Sequence, residues 1–266
     1  MRKDHRVPSL RSIWLGQRMR HLRNEQGLTI KYVASAVEVD FSLIARFERG
    51  EHPLTRDQMT TLLAVYRLYE PRQREMLLRL AQAVWRPRWE VDFDGAVPDE
   101  AFVDVLWLES EADRIRIYSP LTIPDLLGAE RSDDDPANPQ ERLAAERRHA
   151  LHGQPPVDLT VVMDECALWH PHGDRRPPLE AGASVRVLPA QAPRPPGATV
   201  PFTIYCLPDP YPPAVVHIEH LSGRLLLTDA SPYLTLFEAL RRTALDPDQS
   251  RQLIATAQNT NPSQER

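Results

Sequence analysis

Residues 29–50 read TIKYVASAVEVDFSLIARFERG, and this stretch limits the possible folds more than any other part of the chain. Two short helical segments flank a turn of about three residues. A connection that short makes the helices cross at close to a right angle. The crossing needs a small residue where the helices touch, and Ala34 supplies it. It also needs an apolar residue after the turn, Val39, and a buried branched residue in the second helix, Ile44. Thr29 is placed to cap the first helix, with Val33, Ala34 and Val37 on its inner face; Asp40 is placed to cap the second, with Ile44 and Phe47 inward.

The flanks extend the same reading. Leu15, Met19 and Leu22 fall at helical spacing, and Gly27 ends that helix. Gly50 stops the helix that Asp40 opens. Thr55 starts a fourth helix through Met59, Leu62, Leu63 and Tyr66, and Pro71 starts a fifth that runs to about Trp85, before Pro87. A helix is then expected over 100–118, with Val105, Leu108, Ala112 and Ile115 on one face. Residues 129–140 have the composition of a disordered segment, and a helix is expected over 140–152. Beyond that point the period changes. Strands are expected at 158–163, 184–188, 199–207, 214–219 and 224–228, with a Pro-rich exposed loop over 189–201. Ser231-Pro232 reads as an N-cap with proline at N1, and Asp246 with Gln249 as the capping box of a last helix. A frayed polar tail is expected after Asn259.

The net charge of -5 conceals an asymmetry. Residues 1–90 carry 17 basic and 10 acidic residues, and the first 23 carry 7 basic residues against Asp4 alone. The rest of the chain has 15 basic and 27 acidic residues. A basic block joined to an acidic body is the footprint of a nucleic-acid-binding module attached to a part that binds no polyanion. No apolar run reaches the ~18–20 residues of a membrane span, and no signal-peptide pattern opens the chain. Cys166 and Cys206 form neither a disulfide framework nor a metal-spaced cluster, so free thiols and a cytoplasmic location are expected.

The stretch 29–50, together with Leu22-Arg23, Gly27-Leu28 and the closing Glu48-Arg49-Gly50, resembles the phage-repressor-like (Xre-type) helix-turn-helix family over about residues 12–70. Glu38 departs from the glycine usual in that turn. The resemblance implies that helix 40–48 enters the major groove of double-stranded DNA. Phe41, Ser42, Leu43 and Arg46 then meet base edges, Arg46 being suited to guanine O6 and N7 and Phe41 or Leu43 to a thymine methyl. Thr29 and Ile30, at the start of the preceding helix, and Arg49 are placed for phosphate. Arg23 and Glu48 resemble a family pair that joins the first and third helices as a structural salt bridge. Two other readings stand beside these: a buried helical hairpin with no DNA role, and Phe41 and Leu43 as packing residues for a partner subunit or the C-terminal domain.

Residues 100–258 resemble the C-terminal domain of actinobacterial, streptomycete-type antitoxin-like regulators. The resemblance rests on 107–112 (WLESEA), 123–127 (IPDLL), 162–168 (VMDECAL), 185–189 (VRVLP), 217–219 (HIE) and 240–246 (LRRTALD). Asp125, Gly128 and Ala129 depart from the family's Pro-Gly-Leu-Leu-Gln-Thr motif, and the segment between Leu168 and Ser184 is short and Pro-rich where the family usually has a helix. The resemblance implies a small protein partner and no assigned activity.

Asp164, Glu165 and Glu219 are candidate carboxylates, and His170, His172, His217 and His220 candidate metal ligands. His217 and His220 would face opposite sides of a strand, which is poor chelation geometry, whereas His217 and Glu219 share a face. No phosphate loop, nucleophile elbow or Cys–His arrangement is present. The expectation is therefore an all-α helix-turn-helix domain of about five helices at 1–90, followed by an α+β domain at 91–266. It is that of a dimeric transcriptional regulator, nucleoid-associated when bound, with no catalytic residues, metal or cofactor. Two alternatives are an antitoxin-like protein whose main role is to bind a small partner, with DNA binding for autoregulation, and a small-molecule sensor or relic enzyme using Asp164 and Glu219.

Overall fold

The computed structural model describes residues 8–85, 99–127, 139–151, 156–169, 183–209 and 211–259. The chain divides into two compact units, Met1–Asp104 and Val105–Arg266. The expected junction near residue 90, the segment 129–138, His170, His172 and the tail after Asn259 lie outside the described residues.

The first unit is helical. Its elements are α1 (Leu10–Glu25), α2 (Ile30–Val37), α3 (Phe41–Glu48), α4 (Arg56–Val65) and α5 (Pro71–Trp85), with the opening residues of α6 (Glu100–Glu111). The first four helix starts have local causes. Ser9 caps α1, Thr29 caps α2, Asp40 caps α3, and Thr55 with Gln58 forms a full capping box on α4. After α1, Gly27 at φ +64° lets Leu28 N–H reach back to Arg23 O at 3.1 Å, which closes the end of the helix. Leu15, Met19, Val33, Ile44, Phe47, Met59, Leu62, Leu63 and Tyr66 form the core. Asp104 adds a contact that the periodicity gave no sign of. Its carboxylate accepts from Leu10 N–H at 2.7 Å and from Arg11 Nε at 2.6 Å, while Arg11 Nη1 donates to Ala83 O at 2.8 Å.

The second unit is built on one six-stranded sheet of order β3-β2-β1-β4-β5-β6. The strands are β1 (Arg114–Ser119), β2 (Asp158–Asp164), β3 (Ser184–Leu188), β4 (Phe202–Cys206), β5 (Ala214–His220) and β6 (Gly223–Leu227). β1, β2 and β3 run parallel, and β4, β5 and β6 continue the sheet antiparallel. The helices are the rest of α6, α7 (Pro139–Leu151), α8 (Ser231–Thr243) and α9 (Pro247–Asn259). Tyr118, Val162, Leu188, Phe202, Ile204 and Val216 bury one face of the sheet with Phe237 and Leu240 of α8. Tyr205 projects from the opposite face, where its hydroxyl lies 3.5 Å from Glu109 of α6. Glu109 also takes a two-pronged bond from Arg147 of α7, at 2.8 and 2.7 Å. The architecture is thus all-α followed by α+β.

Two expectations for this unit are corrected. The helix expected over 100–118 ends at Glu111, and residues 114–119 form β1, a central strand. Ile115 and Ile117 are buried on one face of this strand while Tyr118 is buried on the other, so the apparent helical register past Ala112 was an accident of two short apolar patterns meeting. Ser231 is the first residue of α8 rather than its cap, and Asp229 Oδ1 accepts its N–H at 3.3 Å. The capping box on α9 is present: Asp246 Oδ1 accepts from Asp248 and Gln249 N–H, each at 2.9 Å, and Asp246 N–H faces Gln249 Oε1 at 3.4 Å.

Candidate nucleic-acid interface

α3 is held on its inner side by α1 at three points. A Cβ on Gly16 would lie 2.5 Å from Phe47 O, so the two backbones touch there. A Cβ on Gly50, at φ +76°, would lie 2.8 Å from Ile13 N. Between them Arg23 donates to Glu48 through Nε at 2.5 Å and Nη2 at 3.0 Å, and its Nη1 reaches Leu28 O at 2.8 Å. Both partners are buried. The Glu48 bond raises the Arg23 pKa, so the guanidinium stays charged. This is the salt bridge expected between the first and third helices.

The turn between α2 and α3 shows what Glu38 does. It adopts φ 58° and ψ 43°, the left-handed conformation for which glycine is the usual residue. Val39 N–H then bonds Ala34 O at 2.9 Å and closes the end of α2. Asp40 Oδ1 accepts Ser42 N–H at 2.7 Å and starts α3. Hydrogen bonds from Ser42, side chain first and backbone second, hold the Asp40 carboxyl below its ordinary 3.8.

With Ile44, Phe47 and Glu48 turned inward, the outer side of α3 is set. Phe41 is 55% exposed, Ser42, Arg46 and Arg49 are exposed, and Leu43 is half-buried. Thr29 is exposed and accepts Tyr32 N–H at 3.2 Å, and Ile30 beside it is half-buried. Periodicity gave no warning of two further exposed residues. Tyr32, 59% exposed, stands on the outer side of α2, where only its offset from Val33 and Val37 could have marked it. Glu51 follows Gly50, and its carboxylate accepts from Arg49 Nε at 2.6 Å and Nη2 at 2.8 Å, with Arg46 Nε 4.0 Å away. Gly16 was findable, since a glycine inside a helix usually marks a close backbone approach.

Residues 14–77 match a helix-turn-helix domain family. Residues 102–256 match the family described as a domain of unknown function, DUF5753. The chain belongs to the DUF5753 family. No curated protein and no solved structure matches it. The amino-terminal unit therefore carries a helix-turn-helix DNA-binding domain, and the DUF5753 domain occupies the second unit.

Within that second domain the candidate carboxylates do not meet. Asp164 ends β2 and is buried, with the Tyr118 hydroxyl at 3.3 Å and Arg194 Nε at 3.1 Å. Burial raises its pKa against the opposing pull of Arg194. Glu165 accepts Ala190 N–H at 2.8 Å. Glu219 lies on β5, three strands from β2 in the sheet, and pairs with Arg224 at 2.9 Å. At strand spacing that separation is roughly 14 Å. Among the described residues no three His, Cys, Asp or Glu side chains gather as a metal site. No helix among them is long and apolar enough to cross a membrane.

Proposed function

We propose that this protein is a sequence-specific, dimeric transcriptional regulator, of the Xre type, that reads DNA with α3. The observation that carries the reading is the sidedness of α3. Its inner residues are locked to α1 by a buried ion pair and two glycine contacts, while Phe41, Ser42, Arg46 and Arg49 face solvent. A helix fixed this way presents the same side chains to the major groove in every molecule, which base readout requires. Arg46 pairs with a guanine, worth about 1–3 kcal/mol of discrimination, and Phe41 or Leu43 meets a thymine methyl. The amino-terminal end of α2 at Thr29 and Ile30, with Arg49, takes phosphates and sets register. Two copies bind half-sites about one helical turn apart.

The DUF5753 domain is the regulatory or partner-binding part, and the protein acts in the cytoplasm. The separation of Asp164 from Glu219, each held by its own arginine, favours that role over a catalytic one. The deciding experiment is selection of genomic fragments by the full chain near physiological salt, with Arg46→Ala in parallel. Enrichment of an inverted repeat that the variant no longer distinguishes supports the reading. A folded wild-type protein that enriches nothing overturns it.

A further inference from the structure

We propose that Glu51 is a specificity-determining residue of the DNA-reading surface, whose carboxylate restrains Arg46 and Arg49 from indiscriminate phosphate binding. The inference rests on the DNA-binding reading above and adds a residue to it. Three observations carry it. Glu51 is a carboxylate among the groups that would face a polyanion, directly beside Arg46 of α3 and Arg49 at its C-terminal end. It grips Arg49 with both oxygens, at 2.6 and 2.8 Å, in the fork geometry by which a guanidinium would otherwise hold a phosphate. Its backbone is fixed as well. Glu51 N–H bonds Arg46 O at 2.9 Å, and Gly50 is wedged against Ile13, so the carboxylate cannot swing away with a loose loop.

The side chains of Arg46, Arg49 and Glu51 are 50%, 54% and 41% exposed. An ion pair this exposed is weak enough for DNA to displace. On a duplex without the operator, Arg49 exchanges one anion for another and Glu51 is left beside phosphates, so the net gain is small. On the operator, Arg46 acquires a guanine while Glu51 remains behind it. The carboxylate then braces the contact, and its repulsion is offset. Glu51 thus lowers binding everywhere but lowers it least on the right sequence, which is discrimination by an unfavourable group.

The test measures the affinity of the full chain for its selected operator and for a scrambled duplex of equal length, over a salt series. Glu51→Gln keeps the size and removes the charge. Its scrambled-duplex affinity should rise by about three- to tenfold and its salt slope steepen by about one. Operator affinity should change less than threefold, so the specificity ratio falls. Glu51→Asp keeps the charge and shortens the reach. It should leave scrambled-duplex binding near wild type and weaken the operator complex. An unchanged melting temperature shows that either variant is folded. An unchanged or higher specificity ratio in Glu51→Gln overturns the inference and leaves the DNA-binding reading intact. A wild-type protein that selects no operator overturns both.

Discussion

Glu38 carries a left-handed backbone conformation that costs a side-chain-bearing residue about 1 kcal/mol. Glu38→Gly should therefore raise the stability of the helix-turn-helix unit by about that amount in urea unfolding, reduced by the entropy of a freer unfolded chain. The opposite sign is expected at Arg23. Removing one partner of a buried pair leaves the other charge stranded, so Arg23→Met should cost about 3 kcal/mol or more. Arg23→Met with Glu48→Leu should recover most of that loss, because no charge is then left buried. These residues also mark what a charge count conceals. Seven basic residues among the first 23 look like a DNA footprint. Arg11 and Arg23 are spent inside the fold, on Asp104 and Glu48.

At the scale of the element, α3 depends on its cap. The Asp40 carboxyl has its pKa depressed in the folded protein, so the stability it contributes is present above the unfolded value near 3.8. That contribution is lost as pH falls through the lower folded value. Side-chain carbon shifts of Asp40 followed by NMR should titrate below 3.8, and Ser42→Ala should move the midpoint upward. The cap was legible in sequence because capping is local: an Asp, the two residues after it and an apolar period suffice. Strand β1 was not legible. Its six residues adjoin an amphipathic helix, and only pairing with β2 on one side and β4 on the other makes them a strand. The edge strand β3 is likewise finished by distant residues. Ser250 of α9 accepts Val187 N–H at 3.0 Å, and Leu245 N–H bonds Val187 O at 2.9 Å. Such a cover protects an edge from pairing with other chains.

For the whole molecule, each of the two units has its own core, so heat or denaturant should give two resolvable transitions. Arg23→Met should move only the transition of the helical unit. Ser250→Ala orphans a buried amide and should move only the other, by about 1–3 kcal/mol. A single transition displaced by both variants would contradict this. By itself the sequence determined the helical period of residues 9–85, the caps at Thr29, Asp40, Thr55 and Asp246, the turn at Glu38 and the residues of α3 that face outward. All of these depend on neighbours within a few positions. It also placed the Arg23–Glu48 pair through resemblance. The tertiary structure alone decided that 114–119 is the centre of a sheet, that Asp104 anchors the start of α1 and that Asp164 and Glu219 stay apart. It alone decided that Glu51 turns back on Arg46 and Arg49. Those facts depend on which distant segments fold against one another, and local periodicity carries no record of that.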